Sequence, residues 1–144
     1  MGVLAALASL VVAFGTPTTL VANALPATHG SRTGLTLQAT FELQCGHVTQ
    51  LTVGLPSAMS VRTPIAPGTV AVNGLHPASI RTSGHVVQVT MPPPHGVMCD
   101  SIGPARITVR FSRAAGLVNP KRPGSYAVSL RMRAQAAAGR LKIA

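Results

Sequence analysis

Two short segments carry the residue types best suited to metal or redox chemistry. The first is Cys45-Gly46-His47, and the second contains His95, Met98 and Cys99. In reduced form they would offer thiolate and imidazole ligands to zinc, or sulfur and imidazole ligands to copper. Their spacings, C-x-H and H-x-x-x-C, match no strong zinc motif, and an exported protein with two cysteines favours a disulfide. We therefore predict a Cys45–Cys99 disulfide and no cofactor, with a metal site at His47, His95 and Met98 as the alternative.

Acidic side chains are too few for most enzymatic acid–base chemistry. The chain of 144 residues contains two carboxylates, Glu42 and Asp100. Mechanisms that need a pair of positioned acids are therefore disfavoured. No G-x-S-x-G context accompanies the serines and histidines, so a serine-hydrolase arrangement has no support either. We predict that the protein is not an enzyme and has no catalytic residues.

Basic side chains dominate the charge. Lys and Arg number 12, and the formal net charge is +10. Such a charge favours anionic partners, here envelope polymers, whereas an aromatic content of 3% disfavours a platform for single-stranded nucleic acid. If the strands around residues 107 and 130 share a sheet, one face would bind anionic ligands. Its candidate residues are Arg106, Arg110, Arg113, Lys121, Arg122, Arg131 and Arg133. A plain solvated basic surface is an equally weighted interpretation.

The elements that would position these residues are β-strands. Ile107, Val109 and Phe111 alternate with polar residues, and residues 126–133 repeat the same period of two, which is typical of half-buried strands. Similar strands recur between turn signals, whereas no stretch shows sustained helical periodicity. We predict an all-β antiparallel sandwich of about seven strands. An extra edge strand at 59–62 would bring both cysteines to one end, and residues 134–144 fit either a helical turn or a last strand.

The N-terminus resembles a secretion signal. Val3 to Phe14 is an apolar run of the right length, and Ala22-Asn23-Ala24 forms a small-x-small cleavage site, although no basic residue precedes the run. We predict a signal peptide over residues 1–24, a linker over 25–34 and the β-sandwich domain over 35–144. The protein would be secreted or associated with the cell wall. Without cleavage, the same segment would attach it to the membrane.

Several segments resemble Ig-like β-sandwich modules of Gram-positive surface proteins. They are LTVGLPSAMSV, IAPGTVAVNG, SGHVVQVTMP, ITVRF and GLVNPKRPGSY, which together span about residues 47–131. The resemblance implies an Ig-like fold and an adhesin-like structural or interaction role, without catalytic residues. The chain departs from the family in having one copy, two cysteines, a proline-rich insertion at 91–104 and an excess of arginine.

Three functional hypotheses follow. The first is a secreted or cell-surface interaction module whose arginine-rich face contacts anionic envelope polymers or other surface proteins. The second is a small extracellular protein that binds copper or zinc. The third is a subunit of a surface assembly that pairs through an exposed edge strand. The sequence does not distinguish the ligand or the oligomeric state.

Overall fold

The protein is built from β-strands. The computed structural model describes residues 18–43, 49–92, 103–132 and 135–144. In chain order, the strands are β1 (Thr18–Thr19), β2 (Val21–Leu25), β3 (Arg32–Leu43), β4 (Gln50–Gly54), β5 (Ser60–Val61), β6 (Val70–Val72), β7 (Ser79–Ser83), β8 (Val86–Thr90), β9 (Gly103–Phe111), β10 (Leu117–Val118), β11 (Gly124–Met132) and β12 (Gln135–Ile143). Short 3₁₀ turns lie at Pro67–Thr69 and Arg113–Ala115.

The strands form two sheets around one hydrophobic core. Sheet I has the order β1-β12-β11-β4-β8-β7, and sheet II has the order β5-β10-β3-β9-β6 with β2 alongside β3. All described pairs are antiparallel except β1 with β12, which is parallel. The core cluster contains residues of both sheets, for example Phe41 and Phe111 from sheet II and Leu130 and Leu141 from sheet I. The predicted all-β antiparallel sandwich is therefore confirmed.

Alternating side chains create the two layers. In β9, Ile107, Val109 and Phe111 are buried while Arg106 and Arg110 are exposed. The other long strands show the same alternation, as expected for a sheet with one face in the core and one in solvent. The strand predictions based on period two hold for this reason.

The N-terminal part of the described chain contributes strands to both sheets. β1 lies beside β12 in sheet I, the chain crosses at Leu20, and β2 then pairs with β3 in sheet II. Leu20 is 3% exposed, and its N–H donates to the carbonyl of Ala138 at 3.1 Å. The sandwich therefore starts upstream of the boundary predicted at residue 35, and the predicted leader and linker overlap its strands. β2 and β3 are consecutive antiparallel strands joined by residues 26–31, and the prediction of a leader and a linker over this segment left their pairing out.

Two other segments, whose secondary structure the sequence pattern left undecided, are strands in the structure. The predicted extra strand is present as β5, and the C-terminal segment forms the nine-residue strand β12 rather than a helical turn. β12 pairs along its whole length with β11, which supplies the hydrogen bonds that a short alanine-rich helix would otherwise have to make internally. No helix among the described residues is long and apolar enough to cross a membrane.

The sandwich has two distinct ends. At the end that we call the cysteine end, β3 finishes opposite the start of β9, with Leu43 paired to Gly103. There the N–H of Met91 also donates to the carbonyl of Thr49 at 2.9 Å. The opposite end, where β3 begins and β9 finishes, contains the 3₁₀ turn Arg113–Ala115, β10 and β5.

Candidate basic binding surface

The predicted arginines do not share one face. β9 belongs to sheet II, whereas β11 belongs to sheet I. Arg106 and Arg110 therefore point outward from one layer, and Arg131 points outward from the other. A single arginine face would require β9 and β11 to lie in the same sheet, and they do not. Residues 112–123 carry the chain from one layer to the other instead of closing a hairpin.

The arginines on the two sheet faces are dispersed among polar residues. Arg106 and Arg110 lie opposite Thr40 and Thr36 in sheet II. Arg131 lies opposite Thr52 in sheet I. Each of these side chains is exposed or intermediate in burial. Neither sheet face therefore concentrates the basic side chains that were predicted to act together. Arg133 lies outside the described residues.

The end opposite the cysteine end does concentrate positive charge. We call residues 112–123, which pass from one layer to the other, the crossover. Five exposed basic residues lie on or beside it: Arg32, Arg62, Arg113, Lys121 and Arg122. We call the surface that they form the basic end. The Nε–H of Arg32 donates to the carbonyl of Arg113 at 3.0 Å. β10 sits between β3 and β5 and brings the chain segments of Arg32 and Arg62 to either side of the crossover.

Gly116 permits the Arg62 side chain to pack closely against the crossover backbone. Its φ of 86° lies in the left-handed region, which favours glycine. A β-carbon built there would lie 2.9 Å from Cβ of Arg62, so the Arg62 stem packs directly over the glycine backbone. The sequence did not single out Arg32 or Arg62, because one sits in a presumed linker and the other in an irregular segment. Only their pairing with β10 reveals them.

The last strand extends the basic end along sheet I. Arg140 and Lys142 are exposed on β12, and Lys142 lies opposite Ser125. Arg140 donates from Nε to Ser125 Oγ at 3.1 Å and from Nη2 to the Ser125 carbonyl at 2.7 Å. Glu42, the one described acidic side chain, is located at the cysteine end, where its backbone exchanges hydrogen bonds with the Gln135 amide. Among the described residues, charge is therefore distributed unequally between the two ends.

The GLVNP…Y residues behind the family resemblance have structural roles. Asn119 is 2% exposed, and its Nδ2 donates to the carbonyls of Pro26 at 2.9 Å and Thr28 at 2.8 Å. The Tyr126 hydroxyl donates to the carbonyl of Arg122 at 2.6 Å. These contacts attach residues 26–28 to the crossover and shape the turn before β11. These motif residues therefore contribute to the fold.

The candidate metal and redox residues lie outside the described part of the chain. This applies to Cys45, Cys99, His47, His95 and Met98. The described histidines make backbone contacts instead. His29 Nδ1 donates to the carbonyl of Ala144 at 2.9 Å, His76 Nδ1 to that of Val70 at 2.8 Å and His85 Nε2 to that of Met59 at 2.9 Å.

Comparisons with known proteins relate the chain by fold. No protein-family model matches the sequence, and no curated protein matches it either. Among solved structures, BslA, described as a bacterial hydrophobin, has a TM-score of 0.56 and 18% identity over 88% of this chain and 98% of its own. An uncharacterized Nocardia farcinica protein with an immunoglobulin-like fold has a TM-score of 0.47 and 17% identity, over 88% of this chain and 97% of its own. A non-cellulosomal cohesin from Archaeoglobus fulgidus has a TM-score of 0.40 and 11% identity, over 90% of this chain and 92% of its own.

The similarity to BslA spans nearly the whole of both chains, and at this identity it concerns the fold alone. It agrees with the two-sheet topology described above. The predicted all-β antiparallel sandwich agrees with this topology.

Proposed function

We propose that the protein is an exported, non-enzymatic β-sandwich module that binds anionic envelope polymers through its basic end. The observation that carries the proposal is the cluster of Arg32, Arg62, Arg113, Lys121 and Arg122 at one end of the sandwich. Like charges placed this close repel one another unless counterions or a ligand occupy the surface. The fold shared with a bacterial hydrophobin supports a structural role at the cell exterior rather than catalysis.

Export requires a leader that leaves the sandwich whole. Cleavage after Ala24 would remove β1, buried Leu20 and nearly all of β2. We therefore place the processing site upstream of Thr18, where Ala13-Phe14-Gly15 overlaps the end of the apolar run and forms a second small-x-small sequence. A Gram-positive surface origin agrees with the segment resemblance and is part of the same proposal.

A binding experiment with long-chain polyphosphate tests the basic end. The double variant Arg62→Gln/Arg113→Gln removes two charges there. Since a basic residue near an anionic surface contributes about 1 kcal/mol, we expect a loss of about 2 kcal/mol, or roughly 30-fold in Kd. The matched control Arg81→Gln/Arg131→Gln removes two charges from the outer face of sheet I and should change Kd less than about threefold.

Two results would contradict the proposal. One is an absence of wild-type binding at physiological salt, because a purely diffuse attraction between exposed charges is then screened. The other is an equal loss in the two double variants, which would mean that net charge, and not the basic end, determines binding. Circular dichroism of each variant confirms that the sandwich is intact.

A further inference from the structure

A shallow depression lies on the basic end. It is lined by Ala58, Pro120, Lys121, Arg122 and Tyr126. Lys121 and Arg122 are exposed, and Tyr126 is half-buried. The depression thus combines two cations with an aromatic ring and two small apolar walls. No other described aromatic side chain reaches the surface, because Phe41 and Phe111 are buried.

The local backbone holds these groups in a constant arrangement. The Tyr126 hydroxyl donates to the carbonyl of Arg122 at 2.6 Å, so the ring and the residue that carries the guanidinium are tied together. A β-carbon on Gly124 would lie 3.6 Å from the Tyr126 ring, which places the ring against the turn that joins Arg122 to β11. Pro120 is buried and restricts the start of the same turn. Little ordering of the turn is needed when a ligand binds.

We propose that this depression binds one sugar unit carrying a carboxylate, as part of an acidic polysaccharide. The inference rests on the proposed function, since it names the polymer class that the basic end recognises. An arginine guanidinium pairs with a carboxylate through two parallel hydrogen bonds, and Lys121 adds a second positive charge. The apolar face of a pyranose ring can pack on the Tyr126 ring and on exposed Ala58. A bare polyphosphate chain has no such apolar face and gains only the charge contacts.

The side chain of Tyr126 provides a direct readout. The protein contains one tyrosine and no tryptophan, so its intrinsic fluorescence comes from Tyr126 alone. Titration with a short oligogalacturonate should change this fluorescence in a saturable manner, whereas a neutral dextran oligosaccharide should not. Lys121→Gln/Arg122→Gln, which leaves the ring and the backbone contacts in place, should weaken oligogalacturonate binding at least about tenfold. Arg62→Gln/Arg113→Gln, outside the depression, should change it less than about threefold.

The outcomes separate this inference from the proposed function. Unchanged fluorescence at saturating oligogalacturonate, or an equal response to polyphosphate, overturns the sugar-specific site even if polyphosphate still binds the basic end. An equal loss in the two double variants also overturns it, because the depression would then have no special role. If the wild-type protein binds neither polymer, both the inference and the proposed function are wrong.

Discussion

Replacing Gly139 with alanine should displace Leu20 and the adjoining strand β1 from sheet I. A β-carbon at this position would lie 2.1 Å from the carbonyl oxygen of Leu20 and 2.9 Å from its carbonyl carbon. Ordinary contacts begin at 3.4 Å, so the backbone at Leu20 would have to retreat by about 1.3 Å, the difference between the shorter distance and this limit. Backbone cannot rotate away as a flexible side chain can, and the crossing between β1 and β2 would open.

The cost follows from what Leu20 contributes. Its side chain is buried, which is worth about 2 kcal/mol for a leucine. Its N–H donates to the Ala138 carbonyl, and an intramolecular hydrogen bond contributes about 1 kcal/mol net. We therefore expect Gly139→Ala to lower the free energy of unfolding by about 3 kcal/mol. For a domain of this size, the melting temperature should fall by about 10 °C.

Urea denaturation followed by circular dichroism measures this loss, with Gly68→Ala as the matched control. A β-carbon on Gly68 meets no atom within 4 Å, so the control should stay within about 0.5 kcal/mol of the wild type. A loss below about 1 kcal/mol for Gly139→Ala would refute the reasoning. It would mean that residues 18–20 add little to the stability of the sandwich.

Three further predictions concern export, cross-linking and assembly. The mature exported protein should begin upstream of Thr18 by N-terminal sequencing, and a mature chain beginning at Leu25 would contradict this. Denatured exported protein should contain no free thiol, and two free thiols would disprove the Cys45–Cys99 bridge. Reduction of the bridge should lower the free energy of unfolding by about 4 kcal/mol, the chain-entropy value for a loop of about 55 residues. Sedimentation should show a monomer, because the edge strand β7 carries exposed Arg81 at its centre and charge on an edge opposes strand pairing; stable oligomers would favour the surface-assembly hypothesis.

The predicted Cys45–Cys99 bridge falls on two connections whose described ends are paired with each other. Residue 45 follows Leu43 by two positions, and residue 99 precedes Gly103 by four, while Leu43 and Gly103 are paired. Chain segments of these lengths can bring the two residues to disulfide distance without disturbing a described strand. His47 and His95 belong to the same two connections in the sequence, so a metal site at His47, His95 and Met98 stays the alternative hypothesis.

The sequence by itself determined the strands and the faces they present. Alternation in Ile107, Val109 and Phe111 is a local property, because successive side chains of a strand point to opposite sides whatever its partner. The all-β class followed from such local signals and from turn residues, whereas the strand β5 was expected because it would bring both cysteines to one end. The net charge and the scarcity of acids, which direct attention to anionic ligands, were likewise visible in composition.

Only the tertiary structure decided which basic residues lie together. Partners in a sheet depend on the path of the connections, and residues 112–123 cross between layers where a hairpin was equally compatible with the sequence. That crossover separates Arg106 from Arg131 and brings Arg32 and Arg62 beside Arg113. The strand β1 and Leu20 are similar, since they are held by β12 at the other end of the described chain. Local pattern determines the faces of a strand, and long-range pairing determines what those faces form.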